Sequence, residues 1–213
     1  TLTLNGQGAL ADNVTGVASI ISAADPGLAW ALNGATMSTT GTTDQALLVQ
    51  SGTLILNGAL SHGTGGGTTI NTDAVLQLGN NSASGSVTGN IVDNGTLRFA
   101  RTDDITLDNL ISGSGTVNQA GSGQTTLSSA NTYTGGSVVD AGTLNASNVD
   151  ALGTGNITIN PDGTLAISFR SGIFDNTITN NGLLNMADTG NTLSGAITGT
   201  GENRISATNT SVS

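Results

Sequence analysis

Large apolar residues return along this chain at intervals near 20. The series Leu2, Trp30, Leu54, Leu76, Leu97, Val117, Leu144, Leu165 and Leu184 advances by 28, 24, 22, 21, 20, 27, 21 and 19 residues. Two positions after each anchor stand Leu4, Leu32, Leu56, Leu78, Phe99, Gln119, Ala146, Ile167 and Met186. A step of two keeps side chains on one face of a strand. Six positions before the later anchors come Leu48, Ile70, Ile91, Ile111, Val138, Ile159 and Ile178, apolar throughout and mostly β-branched, as strands prefer. Between the two apolar groups lie Thr72-Asp73, Asp93-Asn94-Gly95, Gly113-Ser114-Gly115, Pro161-Asp162-Gly163 and Asn180-Asn181-Gly182, residues that tolerate the left-handed backbone of a tight corner.

The local text repeats with the period. Ser51-Gly52-Thr53-Leu54, Asn94-Gly95-Thr96-Leu97, Ser114-Gly115-Thr116-Val117, Ala141-Gly142-Thr143-Leu144 and Asp162-Gly163-Thr164-Leu165 are near copies. Each unit reads as strand, corner, strand and variable polar connection, and a period of roughly 20 residues is that of a solenoid. The expected fold is all-β: a right-handed parallel β-helix, a three-sheet solenoid of about nine coils, ~40–45 Å long at ~4.8 Å per coil. Residues 1–213 form one solenoid, with irregular or widened coils over residues 1–50, and Leu54 through Leu184 stack as one buried column. A hairpin reading of the Asn-Gly pairs would not hold the period in register. Helices are disfavoured by the step of two and by 32 Gly.

Composition narrows the function. Aromatics are 2% of residues, so aliphatic ladders must fill the interior in place of large rings. Net charge is −10, with no Lys and only Arg98, Arg101, Arg170 and Arg204. Nucleic acid, which needs clustered cations, is excluded as a partner, and heparin-like polyanions and anionic membranes are disfavoured. Without Cys there are no disulfides and no thiolate metal sites, which fits a chain that crosses a membrane unfolded. No run of ~18 apolar residues spans a bilayer as a helix. Thr1 opens directly on a strand-like segment with no leader before it, so the chain reads as a piece of a longer one.

Individual residues add little chemistry. His62, in the glycine-rich run His62–Gly67, reads as a solvated loop side chain, and one His without Cys makes a poor metal site. Arg98, Arg101, Asp103, Asp104 and Asp108 read as a solvated face with weak ion pairs, and the Asp residues lack calcium-ligand spacing. Gln119 interrupts the second apolar column, and a buried Gln needs partners at both ends of its amide, so the coil is expected to widen there. Trp30 is either a core residue of a wide coil or an exposed ring for sugar stacking. Lyase, glycosidase and serine-hydrolase patterns are missing, and the corner residues Asp73, Asp93, Asp140 and Asp162 are explained by turn chemistry.

The segment from Gly113-Ser114-Gly115-Thr116-Val117 through Gly123-Gln124-Thr125-Thr126-Leu127 to Asn131-Thr132-Tyr133-Thr134-Gly135-Gly136, closing at Ala141-Gly142-Thr143-Leu144, resembles the passenger-associated transport repeat of autotransporters. It covers about 35 residues and defines a repeat unit at 113–147; Asn118 and Gln119 stand where the family's repeat carries Lys or Arg. The resemblance implies a Gram-negative surface protein of the AIDA-type adhesin kind, secreted through a C-terminal outer-membrane β-barrel of the same chain. It implies adhesion or self-association, with a copy on a neighbouring cell or a host glycan or protein as partner, and no cofactor. A stalk that displays a domain encoded upstream is the alternative. Contact is expected at the connections Asn5–Leu28 and Ser61–Gly67 and on outward polar rows, with Asp12, Asn13, Asp25, His62, Asp103 and Asp104 as candidate contact residues.

Overall fold

The computed structural model describes residues 1–34, 36–186, 190–205 and 211–212. Every regular element among them is a strand, and every strand ladder is parallel. A single coil shows the plan. Leu47–Ser51 lies in a first sheet, Thr53–Leu56 in a second and Ala59–Ser61 in a third, and Thr68–Ile70 returns to the first. Alternation does the placing: in Thr53–Leu56 the residues Leu54 and Leu56 are fully buried while Thr53 and Ile55 are half-buried outside. The main path of the second sheet holds ten successive strands, so the solenoid has about ten turns. The coil beyond the nine anchors is the last, with strands at Ile197–Thr198 and Glu202–Ile205. The stretch after Leu4 carries a second-sheet strand at Gly8–Leu10, in the coil of Leu2, and a first-sheet strand at Ile20–Ala23, in the coil of Trp30.

All seven anchors from Leu54 to Leu184 are fully buried, but they do not form one column. Leu54, Leu76, Leu97 and Val117 stack in the second sheet. One coil later Val117 is opposed by Ser137, 20 residues on, followed by Ile157, Ile178 and Ile197. Leu144 lies in the rear half of the bent strand Ser137–Ala146, where it pairs with Thr125 below and Leu165 above. The motif therefore changes side between Val117 and Leu144, and the 27-residue step is one coil plus one side. Leu2 is likewise off the column, opposite Ile20 in the first sheet. The leading column also shifts: Val139 and Val49, not Val138 and Leu48, point inward, opposite Ile159 and Ile70. The reason is that every side of the coil demands the same alternation, so the motif does not carry the identity of its side.

Corner glycines serve close approach more than backbone twist. A Cβ on Gly95 would drive into the carbonyl oxygens of Ala74 and Asn71, and one on Gly163 into that of Val139. Neither residue has positive φ; left-handed corners include Asp73, φ 63°, Gly52, Gly113 and Gly142.

Gln119 is buried, and the coil does not open around it. Its Nε2 donates to the carbonyls of Gly121 and Gly123 at 2.9 and 3.0 Å, tying down the bend that follows, while Oε1 has no partner. Buried Asn residues instead brace neighbouring coils. Asn131 accepts from the Ile111 N–H at 2.8 Å and donates to the Ala151 carbonyl at 2.7 Å, spanning three coils. Asn176 donates to the carbonyls of Gly153 and Gly155.

Asp93 is the acid among these amides. It is fully buried; Oδ1 accepts from the Gly95 N–H at 3.0 Å and Oδ2 has no partner. Burial pushes its pKa up to about 7, against the opposing backbone bonds from Gly95 and Leu97. Asn180 occupies an equivalent corner; its Oδ1 accepts from Gly182, and its Nδ2 donates across to the Glu202 carbonyl and Asn203.

Two predictions follow from this interior. Leu144→Asp places an unpaired charge in the ladder and should cost at least several kcal/mol. Hydrogen exchange should then rise in the strands holding Thr125 and Leu165 as well, and protection unchanged in both would refute a shared core. For Asp93 the folded pKa lies above the unfolded one, so its favourable contribution is full below about pH 4 and is lost as pH rises towards 7. Asp93→Asn should remove that decline and stabilise the protein at pH 8 by roughly 2–4 kcal/mol, measured by urea unfolding across pH.

Candidate contact surface

The six candidate contact residues fall on different edges of the solenoid. Asp12 and Asn13 follow the strand Gly8–Leu10, and Asn13 Oδ1 accepts from the Thr36 N–H at 3.0 Å. Asp25 lies on the edge between first and second sheets, in an exposed turn closed by the Leu28 N–H at 2.9 Å. Asp103 and Asp104 lie between Thr96–Arg101 and Ile105–Leu107, and His62 between Ala59–Ser61 and Thr68–Ile70. The structure does not bring them together. Among the described residues no three His, Asp or Glu side chains gather as a metal site requires.

His62 is not a solvated loop side chain. Nδ1 bonds Thr39 Oγ1 at 3.0 Å, Nε2 bonds Thr68 Oγ1 at 3.1 Å, and the backbone N–H donates to Thr88 Oγ1 at 3.0 Å. Half-buried, the ring is held below its ordinary pKa by desolvation and stays neutral at pH 7. The clue lay in the Thr-rich runs one coil before and after it, which only the register makes readable.

The charge cluster is also more ordered than a solvated face. Arg101 is buried and forks onto Asp103, Nε to Oδ1 at 3.0 Å and Nη2 to Oδ2 at 2.7 Å, while Nη1 donates to the Gly85 carbonyl. The hydrogen bonds from Arg101 hold the Asp103 carboxyl below its usual range. Asp104 accepts from the Gln124 N–H at 2.9 Å. Asp104 thus braces the next coil while Asp103 holds Arg101, and the cleft of ≈ 350 Å³ beside Arg101 is lined by a paired cation. Arg98 is exposed, as its place between Leu97 and Phe99 requires. Trp30 is half-buried: its ring covers Gly8, leaving no room for a Cβ there, and Nε1 donates to the Asn5 carbonyl at 3.1 Å.

Side chains also cross-brace the region around the bent strand. Asp140 sits at the bend and accepts from Asn118 at 2.8 Å and from Asn160 at 2.7 Å, one carboxylate oxygen for each neighbouring coil. Tyr133 is fully buried and shares a 2.7 Å hydrogen bond with Ser137; burial above all raises its pKa.

Residues 117–146 match the family described as the Passenger-associated-transport-repeat. The chain carries an autotransporter passenger repeat. It is also 48% identical over 54 residues to the adhesin BmaC autotransporter of Brucella suis biovar 1 (strain 1330), a stretch that is 25% of this chain and 2% of that protein. No solved structure matches. The autotransporter repeat runs from Val117 to Ala146, so it includes the change of side, the Gln119 brace, Asn131, Tyr133 and Asp140. Its passenger homology implies export across the outer membrane to the cell surface.

The bend of the passenger repeat is open to test. Asp140→Ala leaves the Asn118 and Asn160 amides without their shared acceptor and should cost about 1–3 kcal/mol. Asp140→Asn, which turns a donor towards one of those two amides, should recover only part of the loss. Equal urea midpoints for all three proteins would show that the carboxylate bridge contributes nothing.

Proposed function

We propose that this segment is part of an exported passenger that acts as an adhesin or self-association module, by contact and not by catalysis. The passenger repeat at 117–146, set within a continuous parallel solenoid, carries the reading. Similarity to a protein named as an adhesin supports it. The acids support the non-catalytic part: Asp93 is turned inward, Asp140 is held by two amides and Asp103 by an arginine. None is paired with a second free carboxylate as glycoside hydrolysis needs. The partners are a second copy on a neighbouring cell or a host surface glycan or protein. The full-length chain supplies its own outer-membrane β-barrel translocator.

The test uses cells displaying the full-length protein and cells displaying it without residues 54–96. That deletion removes two coils and joins Thr53 to Leu97, whose equivalents Leu54 and Leu76 lie in the same stack. At equal surface amounts, settling of cell suspensions and attachment to host cells should both fall. Undiminished attachment would assign the segment to a stalk.

A further inference from the structure

One edge of the solenoid differs from the others. On the edge between second and third sheets, outward groups bond one another: Asn57 donates to Asn33 at 2.6 Å, and Arg101 pairs with Asp103. On the next edge His62 is held by Thr39 and Thr68. Where the first sheet gives way to the second, Gln50, Asn71, Asn94, Ser114, Thr134 and Thr154 follow one another, one per coil. The backbone fixes four of the row's five steps; at the step from Asn94 it is the Gly115 N–H, not that of Ser114, that reaches the Asp93 carbonyl. Asn71 N–H donates to the Val49 carbonyl, Asn94 N–H to Ile70, Thr134 N–H to Gly113 and Thr154 N–H to Tyr133, each to the residue before the one below. Ser114 N–H and Oγ both donate to Asn94 Oδ1.

The six side chains are polar and uncharged, exposed or half-buried. Apart from the Ser114–Asn94 contact, none makes a side-chain hydrogen bond to another described residue. The amide N–H groups of Gln50, Asn71 and Asn94 and the hydroxyls of Thr134 and Thr154 are therefore free to bind. Two troughs lie along this edge. One of ≈ 530 Å³ is lined by Gln50, Asn71, Thr72, Asn94 and Ser114. The other, of ≈ 280 Å³, includes Thr132, Thr134 and Thr154, with Asp150 as its only ionisable group.

We propose that this seam binds an extended, neutral polysaccharide lying parallel to the solenoid axis, a proposal that rests on the adhesin reading. Successive rungs are ~4.8 Å apart, close to the advance of one pyranose in an extended chain, so each sugar meets one rung. Amides and hydroxyls both donate and accept, as sugar hydroxyls do. Asp150, a net charge of −10 and the lack of any lining cation select against acidic polymers. Each rung contributes a weak bond, and six in register give a contact that grows with chain length.

The experiment uses cells displaying the full-length protein, with fluorescent cellohexaose and chitohexaose, their disaccharides, and a heparin hexasaccharide as probes. At least one neutral hexamer should bind ten-fold or more tightly than its dimer and than heparin. The variant Gln50→Glu/Asn71→Asp/Asn94→Asp, which removes three amide donors with little change in shape, should weaken that binding at least ten-fold. So should Thr134→Val/Thr154→Val at the other end, whereas Thr179→Val on the exposed second sheet should leave it unchanged. The proposal is overturned if neither hexamer binds wild-type cells, if both seam variants bind as wild type does, or if attachment is lost only when target proteins are digested. Wild-type cells that neither settle nor attach would instead remove the adhesin reading. Cells that attach equally well with and without the seam changes would leave that reading standing and remove this one.

Discussion

Backbone hydrogen bonds from one coil to the next hold this molecule together, and they constrain everything else in it. A parallel ladder places the next coil one strand spacing away wherever the two backbones run side by side. At the corners that spacing leaves no room for a Cβ, which is why Gly95 and Gly163 lie against the carbonyls of the coil beneath. Inside, it brings identical positions into contact, so apolar residues at one site in each turn become a continuous column. No coil closes its own core, and stability is shared between neighbours.

The same spacing explains the polar interior. A corner exposes N–H and C=O groups that no strand partner reaches, and they lie one coil apart. An asparagine has a donor and an acceptor on one short arm, so it can satisfy groups on the coils above and below, as Asn131 does. An aspartate presents only acceptors when charged. Where both oxygens meet donors, as at Asp140, the fit is complete; where one does not, as at Asp93, the carboxyl resists ionisation.

The period, the strand alternation and most inward residues were legible in the sequence, since each depends only on local spacing; Val49 and Val139, which point inward in place of Leu48 and Val138, were not. The side of the prism to which a strand belongs was not. Val117 and Leu144 carry the same motif on different sides of the coil, and only the length of the intervening chain tells them apart. The environment of His62 was hidden for a related reason: its partners Thr39 and Thr88 lie 23 and 26 residues away, in coils whose lengths differ. Gln119 misled because its partners are backbone carbonyls of its own bend, which no side-chain pattern records. The outward seam from Gln50 to Thr154 spaces unevenly in the sequence and lines up only through the ladder.

The change of side within Ser137–Ala146 also bears on how such a gene grows. Tandem copies lengthen or shorten by unequal recombination, and most junctions in a compact fold would be out of frame with the core. Here the joint is displaced by a third of a turn, yet the interior remains filled on both sides of it, because all three sides accept the same alternating strand. A triangular coil therefore tolerates splices at three phases per repeat where another architecture tolerates one. The length of such a protein can drift between lineages while its cross-section stays the same.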